Sequence, residues 1–138
     1  MSDNDPVVTA ATTHRQGRFV MSALGYPFVA DQAAKHGGPG AAPGAAELFL
    51  ASLIACALGI MQRTARERGL APDRIEAEAS YTLAPEDRTR FAQIRMAFTV
   101  AGLGRDDAEV LVAAFQAGCP IYNTAARTTP TVVTTAVA

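Results

Sequence analysis

The pattern of apolar and polar positions is dominated by one apolar segment, ELFLASLIACALGIM, which runs from Glu47 to Met61. Among the fourteen residues that follow Glu47, only Ser52 carries a polar side-chain group, and the alanines and leucines favour a helix. The pattern predicts an α-helix from about Ala45 to about Arg68, with Gly69 directly after its end. A helix that is apolar on every face has to be buried, so we expect the other elements to pack around it.

Strand-like patterns flank this helix on both sides in the sequence. Runs of β-branched residues and alternation of apolar with polar positions predict six strands, at residues 7–14, 18–23, 28–30, 74–83, 91–100 and 129–137. Short turns join the first strand to the second and the fourth to the fifth, which predicts two hairpins. A loop rich in glycine, proline and alanine, residues 33–44, is expected to lead into the helix without structure of its own.

A second helix is predicted at residues 108–118, with an apolar face formed by Leu111, Ala114 and Phe115. The order of elements predicts one α+β domain over residues 1–138, in which helices pack on largely antiparallel sheet. Two helices and about six strands can hardly cover every face of the long central helix. We therefore also expect an intimate homodimer, in which a second copy of the chain covers the remaining faces.

The composition narrows the class of protein. The chain has 138 residues, of which 49% are hydrophobic and 18% charged, as in a compact globular protein with a real core. Its net charge is -1 and it has no basic block, so neither nucleic acid nor an anionic membrane is an expected partner. The acidic, polar start MSDNDPVV is unlike a secretory signal, and fourteen apolar residues are fewer than the about 20 that span a bilayer. We expect a cytoplasmic protein.

This expected compartment changes the interpretation of the two cysteines, Cys56 in the long helix and Cys119 at the end of the second helix. Permanent structural disulfides are rare in the cytoplasm, so both residues are interpreted as thiols, and a disulfide between them would be transient. Each also has a plain structural interpretation, because a buried cysteine usually behaves as a small hydrophobe. A reactive role depends on whether the two sulfurs meet.

Electrostatics favours Cys56 as the reactive thiolate. Cys119 is expected at the C-terminal, negative end of a helix, which disfavours a thiolate there. Cys56 needs a nearby positive charge, and the candidates are Arg63, two helical turns further on, and Arg15, in the first hairpin turn. On sequence alone, either arginine is better explained as a solvated surface residue.

No motif indicates a metal or a bound cofactor. His14 and His36 have no cysteine or histidine at the spacing of zinc ligands, so the sequence gives little support for a metal site. The GGPG segment is rich in proline and is not followed by Gly-Lys-Ser, which argues against a phosphate-binding loop.

The contexts of the two cysteines are similar to those of a known family. A glycine-rich loop leads into ELFLASLIAC, and a later helix ends in CPIYNT, with 63 positions separating the two sulfurs. With the order of the strands, these motifs resemble the OsmC/Ohr family, the osmotically induced protein C and organic hydroperoxide resistance proteins. The resemblance extends over residues 7–137 and is greatest to the broader OsmC-like branch. The turn THRQGR also resembles the family's GGRxG turn, more weakly.

The resemblance implies a thiol-dependent peroxidase that acts as an intertwined homodimer with its sites at the subunit interface. Cys56 would be the peroxidatic cysteine, Cys119 the resolving cysteine, and Arg15 the arginine that holds Cys56 as a thiolate. A hydroperoxide would oxidise Cys56 to a sulfenic acid, which would condense with Cys119 to a disulfide. An external dithiol, and no bound cofactor, would restore both thiols. An apolar wall would favour alkyl or fatty-acyl hydroperoxides, with Phe49, Leu53, Ile60 and Phe115 as its residues.

One part of the motif departs from the hydroperoxide resistance branch. In that branch a proline and an arginine-anchoring glutamate precede the reactive cysteine by eleven and ten residues, and here these positions are Ala45 and Ala46. Glu47 lies nine residues before Cys56, where the broader branch often has glutamate, on the opposite face of a helix. It is a candidate catalytic residue that could instead cap the helix or pair across the dimer.

This departure leaves two alternatives open. One is a protein of the same fold that binds an apolar small molecule, or senses redox state slowly, with the cysteines as passive lining. The other is a structural subunit with two core cysteines.

Overall fold

The computed structural model of the chain describes residues 5–138, and the prediction of a non-secretory start falls partly on residues 1–4, outside this range. The elements are β1 (Val8–Thr12), β2 (Arg18–Ala23), β3 (Tyr26–Asp31), a 3-10 turn (Ala34–His36), α1 (Ala45–Glu67), β4 (Arg74–Leu83), β5 (Phe91–Ala101), α2 (Arg105–Gly118), α3 (Pro120–Ala126) and β6 (Thr131–Val137). Two three-stranded sheets and three helices confirm the predicted α+β class.

The described part of the first of two compact units, Met1–Phe49, contains the antiparallel sheet β1-β2-β3. Strand β3 is six residues long and not the three that were predicted, because every residue of β2 pairs with it, from Arg18 opposite Asp31 to Ala23 opposite Tyr26. The loop that follows is also more ordered than expected, since it contains the 3-10 turn.

The second unit, Leu50–Ala138, contains the sheet β4-β5-β6. Strands β4 and β5 form the predicted antiparallel hairpin, and β6 pairs with β5 in parallel, an exception within a mainly antiparallel arrangement. The parallel pairing follows from the connection, because α2 and α3 carry the chain across the sheet before β6 begins, and such crossovers join parallel strands.

The core of the second unit lies along the central strand β5 and helix α2. Every second residue of β5 is buried, as expected of a strand with one face in the core: Ile94, Met96, Phe98 and Val100. The ring centroids of Phe98 and Phe115 of α2 are 5.0 Å apart, so the two aromatic rings pack directly against each other. This packing fixes α2, and with it the turn at its end, on the sheet.

Helix α1 ends one residue before the predicted limit, but it is not buried all round within one chain. Its buried residues recur every three or four positions and form a single stripe: Leu53, Ala57, Ile60, Met61 and Ala65. Ala51, Ala55 and Gly59 are exposed. Only 22% of the most apolar 18-residue stretch of α1 is buried. Helix α1 is long and apolar enough to cross a membrane, but core helices of soluble proteins can have the same length and composition.

Candidate functional site

The two cysteine sulfurs meet inside the second unit. The Sγ atom of Cys119 lies 2.6 Å from the Sγ atom of Cys56, and the two thiols share a hydrogen bond. This distance exceeds the about 2.05 Å of a covalent disulfide, and both residues are free thiols. Two residues 63 positions apart in sequence are therefore in direct contact, and the fold already brings their sulfurs together.

Cys119 lies at the junction of two helices, which the sequence analysis missed. Its backbone N–H donates to the carbonyl of Phe115 at 2.8 Å and closes the last turn of α2. Its Sγ atom accepts a hydrogen bond from the backbone N–H of Tyr122 at 3.3 Å and caps the start of α3. The expected position of Cys119 at the C-terminal end of α2 is confirmed, and the same residue also caps the N-terminal, positive end of α3.

A sequence signal for α3 was present. Proline is favoured at the first position of a helix, where its missing N–H costs nothing, and Pro120 occupies this position in α3. Pro120 therefore marks the start of α3 directly after the end of α2.

Asn123 holds the junction between the helices together. Its side-chain amide donates to the carbonyl of Gln116 at 3.1 Å and to the carbonyl of Cys119 at 3.0 Å. The Gln116 carbonyl has no usual helical partner, because Pro120, four residues later, lacks an N–H. Gln116 in turn donates through its side chain to the hydroxyl of Tyr122 at 3.2 Å. These contacts fix the position of the Cys119 thiol, and sequence reasoning did not identify them.

The two thiols differ in their access to solvent. Cys119 is fully buried, at 0% relative exposure, and Cys56 is partly exposed. A reagent that approaches from solvent therefore reaches the sulfur of Cys56 first. Cys119 lies behind it as a second thiol already in contact.

The environment of Cys56 raises the pKa of its thiol above the ordinary value. Burial is the largest cause, followed by the hydrogen bond and the Coulombic interaction with Cys119. Two features oppose the rise and lower the pKa, a hydrogen bond from the backbone N–H of Ile121 and the positive charge of Arg63. These causes together favour the thiol form of Cys56 in the reduced chain.

Arg15 lies in the turn between β1 and β2 of the first unit. The hydroxyl of Thr13 accepts from the backbone N–H of Arg15 and donates to its carbonyl, both at 3.1 Å. Gly17 follows in this turn with a φ of 75°, and a Cβ added at this position would lie 2.6 Å from the Cα of Gly38. The turn therefore requires glycine here. The backbone of Arg15 is well fixed and its side chain is exposed. Its role toward Cys56 stays a prediction.

Glu47 caps helix α1, one of the roles left open for it. It is the third residue of the helix, and its Oε2 atom accepts from the backbone N–H of Gly44 at 3.1 Å, the glutamate half of a capping box. Ala45 and Ala46 are the first two residues of the helix, where the hydroperoxide resistance branch has proline and glutamate. A catalytic role for Glu47 stays a prediction.

The four residues expected to form an apolar wall are not equally accessible. Leu53, Ile60 and Phe115 are buried, at 0%, 8% and 0% exposure, and Phe49 is partly exposed. Phe115 also packs edge to face against Tyr122, with ring centroids 5.2 Å apart. In the single chain these three buried residues act as core around the cysteine pair, and their contact with a substrate stays a prediction.

A partly buried ion pair in the first unit was also missed. Arg18 donates two hydrogen bonds to the carboxylate of Asp31, at 2.9 and 2.8 Å, and the backbone N–H of Ala41 donates a third at 3.0 Å. The bond from Arg18 is the main cause that lowers the pKa of Asp31 to about 2. The pair ties strands β2 and β3 to the loop before α1. It was not predicted because the third strand was expected to end at Ala30.

Two surface cavities among the described residues lie away from the cysteine pair. The larger, of about 430 Å³, lies between α2 and β6, and the other, of about 180 Å³, lies on one face of the second sheet. Within residues 5–138 no three His, Cys, Asp or Glu side chains are grouped so that they could hold a metal ion.

Comparison with known proteins identifies the family. The profile of the OsmC-like protein family matches residues 37–135, while no curated protein matches the chain in sequence. An OsmC-like protein from Mycoplasma pneumoniae is similar in structure, with a TM-score of 0.84, 13% identity and 99% of each chain covered.

Two further similar structures are those of organic hydroperoxide resistance proteins. An organic hydroperoxide resistance protein OsmC from Legionella pneumophila aligns with a TM-score of 0.72 and 19% identity over 99% of each chain. The organic hydroperoxide resistance protein OhrB of Bacillus subtilis aligns with a TM-score of 0.69 and 21% identity over 95% of this chain and 97% of its own. With the family profile spanning most of the chain and the fold shared along its length, this chain belongs to the OsmC-like protein family.

Proposed function

We propose that the protein is a thiol-dependent peroxidase that reduces organic hydroperoxides in the cytoplasm. The observation that carries the proposal is the direct contact between the partly exposed Cys56 sulfur and the buried Cys119 sulfur, 2.6 Å apart. A thiol that meets the oxidant and a second thiol behind it are the two groups that such a cycle requires. Structural similarity to organic hydroperoxide resistance proteins supports the choice of substrate class.

In the proposed first step the Cys56 thiolate attacks the distal oxygen of the hydroperoxide. A sulfur–oxygen bond forms, the oxygen–oxygen bond breaks, and the alkoxide leaves as an alcohol after it takes up a proton. The sulfur is oxidised by two electrons to a sulfenic acid and the hydroperoxide is reduced by two. Because the thiol form of Cys56 is favoured at rest, we expect this step to accelerate as the pH rises.

In the second step the Cys119 sulfur attacks the sulfur of the Cys56 sulfenic acid. A sulfur–sulfur bond forms, the sulfur–oxygen bond breaks, and the hydroxyl leaves as water with the proton of the Cys119 thiol. An external dithiol then exchanges with the disulfide, becomes a disulfide itself and returns both cysteines to thiols.

We further propose that the working form is a homodimer that covers the exposed side of α1. The apolar residues Ala51, Ala55 and Gly59 are exposed on this helix, and apolar helix surface is usually covered by a partner. Sedimentation measurements are expected to give a dimer, and Ala55→Arg is expected to shift the equilibrium toward the monomer. A wild-type chain that stays monomeric at all concentrations would exclude this part of the proposal.

A thiol count tests the peroxidase proposal. The fully reduced protein is mixed with one equivalent of an organic hydroperoxide, and two thiols are expected to be lost quickly, with a disulfide as the product. Cys56→Ser should abolish the fast loss, and Cys119→Ser should stop the reaction at a sulfenic acid that a dimedone-type reagent traps. The proposal fails if the wild-type protein reacts no faster than a free cysteine at the same pH.

The raised pKa of Cys56 favours a second candidate, a slow redox sensor or small-molecule-binding protein on the same fold. Such a protein would form the same disulfide, but at the rate of an ordinary thiol and without turnover by a dithiol. Steady-state consumption of hydroperoxide in the presence of excess dithiol separates the two, because a sensor would show a single slow oxidation only.

A further inference from the structure

Ile121 lies beside the pair of cysteine sulfurs. It is the second residue of α3 and follows Cys119, whose Sγ atom is 2.6 Å from that of Cys56, by two positions. The backbone N–H of the next residue, Tyr122, donates to the Sγ atom of Cys119 at 3.3 Å. The backbone N–H of Ile121 itself donates to the sulfur of Cys56. The first turn of α3 therefore contacts both sulfurs, and Ile121 is its residue at Cys56.

The side chain of Ile121 is large, apolar and 40% exposed. In residues 50–138 the other exposed large apolar side chains are Val132 and Val137, and both lie on strand β6. Ile121 is thus the exposed large apolar side chain of the α2–α3 junction. It lies next to Cys56, the thiol of the pair that solvent can reach.

The buried apolar residues near the pair are poorly placed to contact a substrate. Leu53, Ile60 and Phe115 are 0%, 8% and 0% exposed, and the two surface cavities lie elsewhere. A substrate reaches these side chains only if the core opens. In the chain as folded, an alkyl group held at Cys56 contacts the protein surface, to which Ile121 belongs.

The direction of attack on a hydroperoxide decides where its alkyl group lies. The attacking sulfur, the distal oxygen and the leaving oxygen align during the displacement, so the group on the leaving oxygen points away from the sulfur. Cys119 is buried behind Cys56, which leaves the solvent side to the substrate. An alkyl group therefore extends along the surface beside Cys56, while hydrogen peroxide has no carbon atom to place there.

We propose that Ile121 is a specificity-determining residue, whose side chain contacts the alkyl group of an organic hydroperoxide while Cys56 attacks the distal oxygen. The contact removes apolar surface from water, so it lowers the barrier for alkyl hydroperoxides and not for hydrogen peroxide. The assignment rests on the proposed function. It agrees with the proposed homodimer, because a partner on the exposed side of α1 must still leave the hydroperoxide a path to Cys56.

The test compares hydroperoxides of increasing chain length on the reduced protein. The second-order rate constant of the first step is measured for hydrogen peroxide and for ethyl, butyl and hexyl hydroperoxide, and in the wild type it is expected to rise with chain length. Ile121→Ala is expected to lower the constant for hexyl hydroperoxide about 3- to 10-fold, and that for hydrogen peroxide by less than about 2-fold. Ile121→Leu, which keeps the volume of the side chain, is expected to retain most of the rate.

The matched control is Val132→Ala, which shortens a side chain of similar exposure, 38%, on β6 and should change none of these constants. If Ile121→Ala lowers the constants for hydrogen peroxide and for hexyl hydroperoxide by the same factor, Ile121 only supports the junction and the proposal is overturned. Constants that do not rise with chain length in the wild type, or an equal change in Val132→Ala, overturn it as well.

Alkylation of Cys56 separates this proposal from the proposed function. N-ethylmaleimide and N-hexylmaleimide react with a thiol without a peroxide, and a preference for the hexyl reagent is expected in the wild type and not in Ile121→Ala. If this preference is found but no hydroperoxide reacts faster than with a free cysteine, the proposed function fails and the apolar contact of Ile121 stands. If hydroperoxides are consumed quickly with the same chain-length preference in both proteins, the peroxidase stands and the assignment of Ile121 fails.

Discussion

Substitution of Asn123 tests whether the α2–α3 junction holds Cys119 in its reactive position. Asn123→Ala removes two hydrogen bonds, to the carbonyls of Gln116 at 3.1 Å and of Cys119 at 3.0 Å. The Cys119 carbonyl keeps the backbone N–H of Asn123 at 2.9 Å, while the Gln116 carbonyl has no N–H available from Pro120. Since each bond contributes about 0.5 to 1.5 kcal/mol net, we expect the free energy of unfolding to fall by about 1 to 2 kcal/mol.

The same change should act on the second chemical step more than on the first. Cys56 lies on α1, so the rate at which its sulfenic acid forms should change less than the rate of the later condensation. The condensation with Cys119 depends on the junction, and a loss of about 1 to 2 kcal/mol there corresponds to a rate about 5- to 30-fold lower. Asn123→Asp should have a larger effect, because a carboxylate has no donor for the two carbonyls and is repelled by them.

Urea unfolding measures the stability, and rapid mixing with an organic hydroperoxide followed by trapping of the sulfenic acid separates the two steps. The matched control is Thr124→Ala, the next residue in the same short helix, which is exposed. If Asn123→Ala and Thr124→Ala behave alike in both stability and disulfide formation, the junction does not position Cys119 and the reasoning is refuted.

Two further predictions concern the first unit. The pKa of Asp31 is lowered from 3.8 to about 2, so the stability that its pair with Arg18 contributes is complete above about pH 4 and is lost as the pH falls toward 2. Urea unfolding of the wild-type protein at a series of pH values should show this loss of stability. The variant Asp31→Asn should not show it. Gly38→Ala should destabilise the chain by about 1 to 3 kcal/mol, because the new Cβ would clash with the carbonyl oxygen of Gln32. The control Gly118→Ala, in a helix and with no heavy atom near the new Cβ, should not destabilise the chain in thermal unfolding.

Much of the fold could be predicted because its signals are local. Helix α1 is a long apolar run of strong helix formers and strand β4 alternates strictly, and the observed limits of both differ from the predicted ones by at most one residue. Helix α3 was missed because seven residues are too few for a helical period, and its cap is a cysteine and not one of the usual capping residues. The parallel pairing of β6 with β5 depends on the path of the chain between them, which no local pattern records.

The candidate site also combines features that the sequence predicts with features that only the folded chain shows. The two cysteines could be identified from their sequence contexts, since ELFLASLIAC and CPIYNT are short and contiguous. The bonds of Asn123 and the pair of Arg18 with Asp31 depend on register and on backbone direction, so they required the folded chain. The exposed side of α1 shows the opposite case, in which a sequence that is apolar all round does not indicate which face its own chain covers.

The contact between the two sulfurs has a consequence for the durability of the proposed catalyst. A sulfenic acid that has to wait for a distant partner can meet a second oxidant molecule and be converted irreversibly to a sulfinic acid. At Cys56 the competing thiol is already a neighbour, held by its own backbone at the start of α3. Intramolecular capture therefore precedes most second encounters, and the protein should keep working in a large excess of hydroperoxide that would inactivate a single-cysteine enzyme.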